Sequence, residues 1–315
     1  TTNAQGIASV AVRTGFSSSK NEILVKPLSG SLPDLAATGR TTVTMSQTTT
    51  TSGKGPLGTV FNVGSSPTTT AVVDLNGDGY RDVVVLNSGE PSIGILLGKG
   101  NGLFNNMTRI TGVCNTPTGF TIGSFNSNID AFLDIAISCG GADAIVVYTG
   151  RGDGTFNTQP TVTSTAPNAT IPLAIVSGDF NKDGRLDLAI ASTGGSVVAT
   201  YTGNGNGGFA GEQIFNVGLS PNSLAVVDLD KDGNLDIIAA NAGDNTLSVL
   251  NGNGIGGFGP QMTYGSGIGV VSIASADFNK DGLVDLFLGA RAVPWNYGIT
   301  PKSALLLNKG NGVFE

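Results

Sequence analysis

The chain repeats itself. Five segments answer one another along its 315 residues: 74–82 (DLNGDGYRD), 126–134 (NSNIDAFLD), 179–187 (DFNKDGRLD), 228–236 (DLDKDGNLD) and 277–285 (DFNKDGLVD). Their starts lie 52, 53, 49 and 49 residues apart. A second marker keeps the same phase, a Gly-rich turn ending in Phe104, Phe156, Phe209, Phe258 and Phe314. A period near 50 residues built of short segments is what a propeller blade leaves in a sequence, and a helical solenoid does not. The 48 glycines agree, because each Gly inside a helix costs roughly 0.5–1 kcal/mol relative to Ala.

Strands are legible within one period. Residues 223–229 and 235–241 are nearly continuous apolar runs, as strands covered on both faces require. Two further strands, near 246–251 and 261–264, follow a Gly-Asp-Asn turn and the Gly-rich turn. The first sixty residues read as a decayed copy, with GIASVAV and EILV in the places of the first two strands and GKGPLGTVF in the place of the turn. The expectation is an all-β fold: a six-bladed β-propeller of four-stranded antiparallel blades, with seven blades as the alternative. It forms one domain over 1–315, in which 1–61 supply a degenerate repeat and close the ring, and 62–315 supply five repeats.

The spacing D-x-[DN]-x-D-G-x-x-D has a specific chemistry. Oxygens from positions 1, 3, 5 and 9 converge because Gly at position 6 permits a sharp turn, and the carbonyl of position 7 completes the set. Hard, largely anionic oxygen ligands select Ca²⁺, with Mg²⁺ second because it demands stricter geometry. Four loops, each between the first and second strands of a blade, fit completely: Asp74, Asn76, Asp78 and Asp82; Asp179, Asn181, Asp183 and Asp187; Asp228, Asp230, Asp232 and Asp236; Asp277, Asn279, Asp281 and Asp285. Their carbonyls come from Tyr80, Arg185, Asn234 and Leu283. The second repeat offers Asn126, Asn128, Asp130 and Asp134, with Ala131 where Gly is wanted, so weak binding or none is expected there. These loops hold 15 of the 23 acidic residues, a crowding that repels itself without a cation. No EF-hand is implied, since no helix flanks the loops and no Glu closes them at position 12.

Other chemistries are excluded or disfavoured. With no histidine, Ser–His–Asp and Cys–His catalysis and His-ligated zinc are absent. A net charge of −7 opposes a phosphate-tracking nucleic-acid binder. No apolar run reaches the roughly 20 residues of a membrane helix. The opening at Thr1, without Met or a leader, suggests a processed or excised chain.

The loops and the GxGxxF turns together resemble the FG-GAP/VCBS repeats of integrin α-subunit heads and many secreted microbial proteins, well over 62–315 and poorly over 1–61. The resemblance implies an extracellular or cell-surface location, structural calcium at about four sites, and binding or adhesion through loops on the face opposite the metal. The expected function is therefore a non-catalytic binding module for an extracellular protein or glycan. A lectin, a subunit of an extracellular assembly and a polysaccharide-active enzyme are the alternatives.

Three further features bear on this. Cys114 and Cys139 fall at one rim of antiparallel neighbours, as a disulfide or as two buried thiols. Asn106 and Asn168 begin glycosylation sequons. The insertion 289–303 carries Arg291, the sole Trp, Trp295, and Tyr297, which either stack on a ligand or plug the ring. Arg151-Gly152-Asp153 spells a tripeptide that integrins bind, but sits in a Gly-rich turn where drift explains it.

Overall fold

The computed structural model describes residues 8–10, 21–27, 41–47, 60–164, 169–267, 269–290, 303–310 and 313–315. Every regular element among them is a strand. The chain divides into two compact units: Thr2–Val113 with Arg151–Thr155, and Cys114–Gly150 with Phe156–Glu315.

In the first unit, β1 (Ala8–Val10), β2 (Asn21–Pro27), β3 (Thr41–Gln47) and β4 (Val60–Asn62) precede the first blade, β5 (Pro67–Val73), β6 (Asp82–Asn87), β7 (Ser92–Leu96) and β8 (Thr108–Thr111). In the second unit, the second blade is β9 (Pro117–Gly123), β10 (Asp134–Cys139), β11 (Ala144–Tyr148) and β12 (Thr161–Ser164). The third is β13 (Pro172–Gly178), β14 (Asp187–Ser192), β15 (Val197–Gly203) and β16 (Phe209–Asn216). The fourth is β17 (Pro221–Val227), β18 (Asp236–Asn241), β19 (Thr246–Leu250) and β20 (Met262–Gly265). The fifth is β21 (Val270–Ala276), β22 (Asp285–Ala290) and β23 (Ala304–Leu306). Leu307 and Glu315 then exchange two backbone hydrogen bonds, at 2.9 and 3.0 Å, where a further strand would start.

Each blade is an antiparallel meander, and the second strands are its most buried members. All six residues of β6, β10, β14 and β18 are buried, which explains their unbroken apolar runs. In the second unit the cores lie between blades. Phe125, Ile145 and Val147 of the second pack against Leu188, Ile190 and Tyr201 of the third, and Val227, Leu229 and Ile238 of the fourth pack against Ile273, Leu286 and Leu288 of the fifth.

The structure is a β-propeller with five blades, which corrects the expectation of six or seven. The described residues of the N-terminal segment form no four-stranded meander. Its β2 lies between β3 and β4, an order no sequential meander produces, and β1 pairs with β5, Ala8 opposite Val72. The physical reason is in the sequence. This segment lacks the Asp-rich loop that fastens a first strand to a second, so its apolar runs pair elsewhere. Phe61, from the apparent turn, meets Phe104 edge-on at 5.0 Å.

Cys114 and Cys139 are joined, their Cα atoms 6.1 Å apart. The bridge ties the lead-in of β9 to the buried end of β10, across a separation of 25 residues. Closing a loop of that length stabilises the folded state by about 3.5 kcal/mol on the chain-entropy account. Replacing both cysteines by Ser is expected to lower the denaturant midpoint accordingly; an unchanged midpoint would show that the bridge adds nothing to stability.

Candidate metal centres in the blade loops

Between the first and second strands of the first, third, fourth and fifth blades, one hydrogen-bond pattern recurs. The position-1 carboxylate accepts the N–H of the position-6 glycine: Gly79 to Asp74 at 2.8 Å, Gly184 to Asp179 at 2.9 Å, Gly233 to Asp228 at 3.0 Å and Gly282 to Asp277 at 2.8 Å. The position-5 carboxylate accepts the position-7 N–H of Tyr80, Arg185, Asn234 and Leu283, at 2.7–2.8 Å. These bonds wrap the loop around its own carboxylates. The turn needs left-handed backbone at position 6, with φ of 84° or 85°, where any residue with a Cβ is strained. Position 4 is also left-handed, at Gly77, Lys182, Lys231 and Lys280, so three lysines hold a conformation they would not choose alone.

Position 9 does something the spacing did not announce. Its carboxylate is buried and takes two backbone donors from different parts of the blade. Asp236 Oδ2 accepts Leu229 N–H from the loop, and its Oδ1 accepts Gly252 N–H from the Gly-rich turn, both at 2.8 Å. Asp82, Asp187 and Asp285 repeat this with Leu75 and Gly98, Phe180 and Gly203, and Phe278 and Asn308, at 2.7–3.0 Å. The residue is thus a staple between two loops as well as a candidate ligand. Burial raises the Asp82 carboxyl and pushes Asp187 and Asp236 up to about 6, against the lowering effect of those N–H groups. Asp281, at position 5, moves the other way, held down by the Leu283 N–H, the Asn279 amide and the ammonium groups of Lys231 and Lys309.

The turn glycine is equally constrained. A Cβ on Gly98, Gly203 or Gly252 would stand 2.1–2.3 Å from the position-8 carbonyl oxygen. The fifth blade has Asn308 there instead. Its buried amide donates to that carbonyl, on Val284, at 3.1 Å and to Leu229 of the fourth blade at 2.9 Å. Nothing in the repeat pattern marks this asparagine as a tie between blades.

The loops differ at position 3. Asn76, Asn181 and Asn279 turn their amides onto the position-5 carboxylate, at 2.8–3.4 Å. The fourth loop has Asp230 there, whose Oδ1 accepts the Asp232 N–H at 3.1 Å, so a carboxylate replaces the amide. One oxygen each of Asp228, Asp230 and Asp236 lie within 4.8 Å of one another, and Asp228 Oδ1 is buried without a hydrogen-bond partner. Oxygens that close can all touch one ion at the 2.3–2.6 Å typical of Ca²⁺. The residues therefore fit a hard divalent cation.

The second loop is built differently. Phe125 N–H and Asn126 N–H both reach Asp134 Oδ2, at 2.7 and 3.1 Å, and Phe125 O accepts Gly207 N–H just as Phe180 O accepts Gly256 N–H. Phe125 thus corresponds to Phe180, which places Ser124, not Asn126, at position 1 and makes this loop two residues longer than its sisters. Asn126 donates to Asp130 at 3.0 Å, and Asn128 is turned onto Asn204 O of the next blade at 3.0 Å. Asp134 keeps the staple, also accepting Gly150 N–H at 2.8 Å, and burial raises it to about 6. An amide stands where the other loops crowd carboxylates.

Of the other candidates, Asn106 is exposed. Arg151-Gly152-Asp153 forms a turn in which Asp153 Oδ1 accepts the Thr155 N–H at 2.8 Å and hydroxyl at 2.6 Å, interactions that lower its carboxyl. Asn168, Arg291, Trp295 and Tyr297 lie outside the described residues.

The FG-GAP-like repeat pattern matches residues 127–190, 179–239 and 228–288, and the FG-GAP repeat matches 66–102. No curated protein matches the chain. Among solved structures, a functionally unknown protein from Desulfotomaculum acetoxidans DSM 771 superposes with a TM-score of 0.59 at 11% identity, over 87% of this chain and 74% of its own. A lectin of Agrocybe aegerita, solved for its specific recognition of non-reducing terminal N-acetylglucosamine, aligns at a TM-score of 0.47 and 18% identity, over 80% and 68%. At such identities the likeness is one of fold.

Proposed function

The chain belongs to the FG-GAP repeat family, and on that premise we propose that it is a calcium-stabilised extracellular binding module, an adhesion scaffold and not a catalyst. The observation that carries this reading is the fourth loop, where oxygens of three carboxylates converge and one of those carboxylates, Asp228, has a buried oxygen without a donor. Asp74, Asp78, Asp82, Asp179, Asp183, Asp187, Asp277, Asp281 and Asp285, with Asn76, Asn181 and Asn279, would hold ions in the other three loops, and the carbonyls of Tyr80, Arg185, Asn234 and Leu283 complete the four sets. Bound calcium supplies positive charge that cancels the crowding of these carboxylates. The chain's own residues then fasten the first strand of a blade to the second, through position 9, and to the Gly-rich turn. Four such loops in phase serve rigidity, which a binding surface needs and a bond-making centre does not explain.

An extracellular setting supplies the millimolar calcium that such sites require and permits the Cys114–Cys139 bridge. The partner would be an extracellular protein or a glycan, met by the insertion 289–303 through Arg291, Trp295 and Tyr297. Matrix proteins and an array of glycans, offered to the immobilised chain in calcium and again in chelator, test this. Calcium-dependent capture that Trp295→Ala diminishes is the expected result. Indifference to calcium, or depolymerisation of an offered polysaccharide, would overturn it.

A further inference from the structure

The residue just ahead of the turn position that donates to the staple carboxylate is Leu97, Thr149, Thr202, Asn251 and Leu307 in the five blades. Only the fourth blade has a carboxamide there. Because Gly252 N–H lies 2.8 Å from Asp236 Oδ1, the side chain before it stands at the edge of the acidic cluster. Asn251 Nδ2 comes to 3.4 Å from Asp230 Oδ2, a long contact, while its Oδ1 is buried with no hydrogen-bond partner. In the same loop as Asp230, Asp228 Oδ1 is likewise buried and without a partner.

A buried Asp228 oxygen without a donor, on one of three carboxylates whose oxygens come within 4.8 Å of one another, is a costly arrangement for a chain alone. A cation resolves it, since it takes several oxygens at once and needs no hydrogen. A half-turn of the terminal amide exchanges Oδ1 and Nδ2 and presents the oxygen to Asp230's side of the cluster. We propose that Asn251 is a further ligand of the fourth-loop cation, supplied from outside the loop, and that it makes this the tightest of the four sites. The inference rests on the calcium reading above and deepens it. Ligand charge and number set affinity in such sites, and this loop has both the fourth aspartate and the extra oxygen.

Calorimetric titration of the full chain with CaCl₂ tests this, using the wild type, Asn251→Leu (the residue of the first and last blades) and Asn251→Asp. Four ions are expected in the wild type, one held at least about tenfold more tightly than the rest. Asn251→Leu should bring that one down to the level of the others, and Asn251→Asp should keep or tighten it. If Asn251 served only to donate to Asp230, the Asp variant would weaken the site as the Leu variant does, and that result overturns the inference. So does a tight site untouched by Asn251→Leu, with the calcium reading left standing. A wild-type chain that binds no calcium overturns both.

Discussion

Stripping calcium from the chain should lower its melting temperature by about 10–20 °C. The size follows from linkage. An ion present at about ten times its dissociation constant stabilises the folded state by about 1.4 kcal/mol per site, so four sites contribute about 5–6 kcal/mol. For a domain of this size each kcal/mol moves the melting temperature by about 2–4 °C. The effect should be unequal along the chain. The first loop belongs to one compact unit and the other three to the other, so the unit containing 156–315 should lose most of its protection against protease. Scanning calorimetry in millimolar calcium and in EDTA, with limited proteolysis alongside, measures this. Identical melting and cleavage in the two buffers would remove structural calcium from the account.

The four regular loops were legible because their chemistry is local: oxygens at fixed offsets and a glycine at the one position that needs left-handed backbone. The second loop was not. Its Asn and Asp residues mimic the spacing from Asn126, and only three-dimensional register shows that Gly123-Ser124-Phe125 is the counterpart of Gly178-Asp179-Phe180. The echo was present in the sequence, in a phenylalanine rather than in an acid. The blade count failed for a related reason. Apolar composition can suggest an inner strand, as GIASVAV does, but which strand it pairs with depends on a carboxylate that stitches loop to turn, and the sequence of 1–61 carries no Asp-rich loop to supply one. Asn308 and Asn251 were invisible because a single asparagine in a turn has no period. Their roles depend on which neighbouring blade or loop stands against them.

The position-9 aspartate joins the legible part to the hidden part, and it can be dissected. Asp134 and Asp236 are both buried staples. Asp134 accepts three backbone N–H groups and Asp236 two. Truncation to Ala leaves those donors buried without an acceptor, at about 1–3 kcal/mol each, so Asp236→Ala should lose about 2–6 kcal/mol and Asp134→Ala about 3–9 kcal/mol. They should differ in how they respond to calcium. Asp134 sits in the loop where an amide closes the gap, and Asp134→Ala should lower the melting temperature equally in calcium and in EDTA. Asp236 faces Asp228 and Asp230, so Asp236→Ala should cost more in calcium than in EDTA and should bind one ion fewer. A neutral Asp134→Ala would mean the backbone donors find other partners and the staple has no energetic weight. Equal losses for Asp236→Ala in the two buffers would take position 9 out of the cation's shell and leave it a purely structural carboxylate, held by burial near a pKa of about 6.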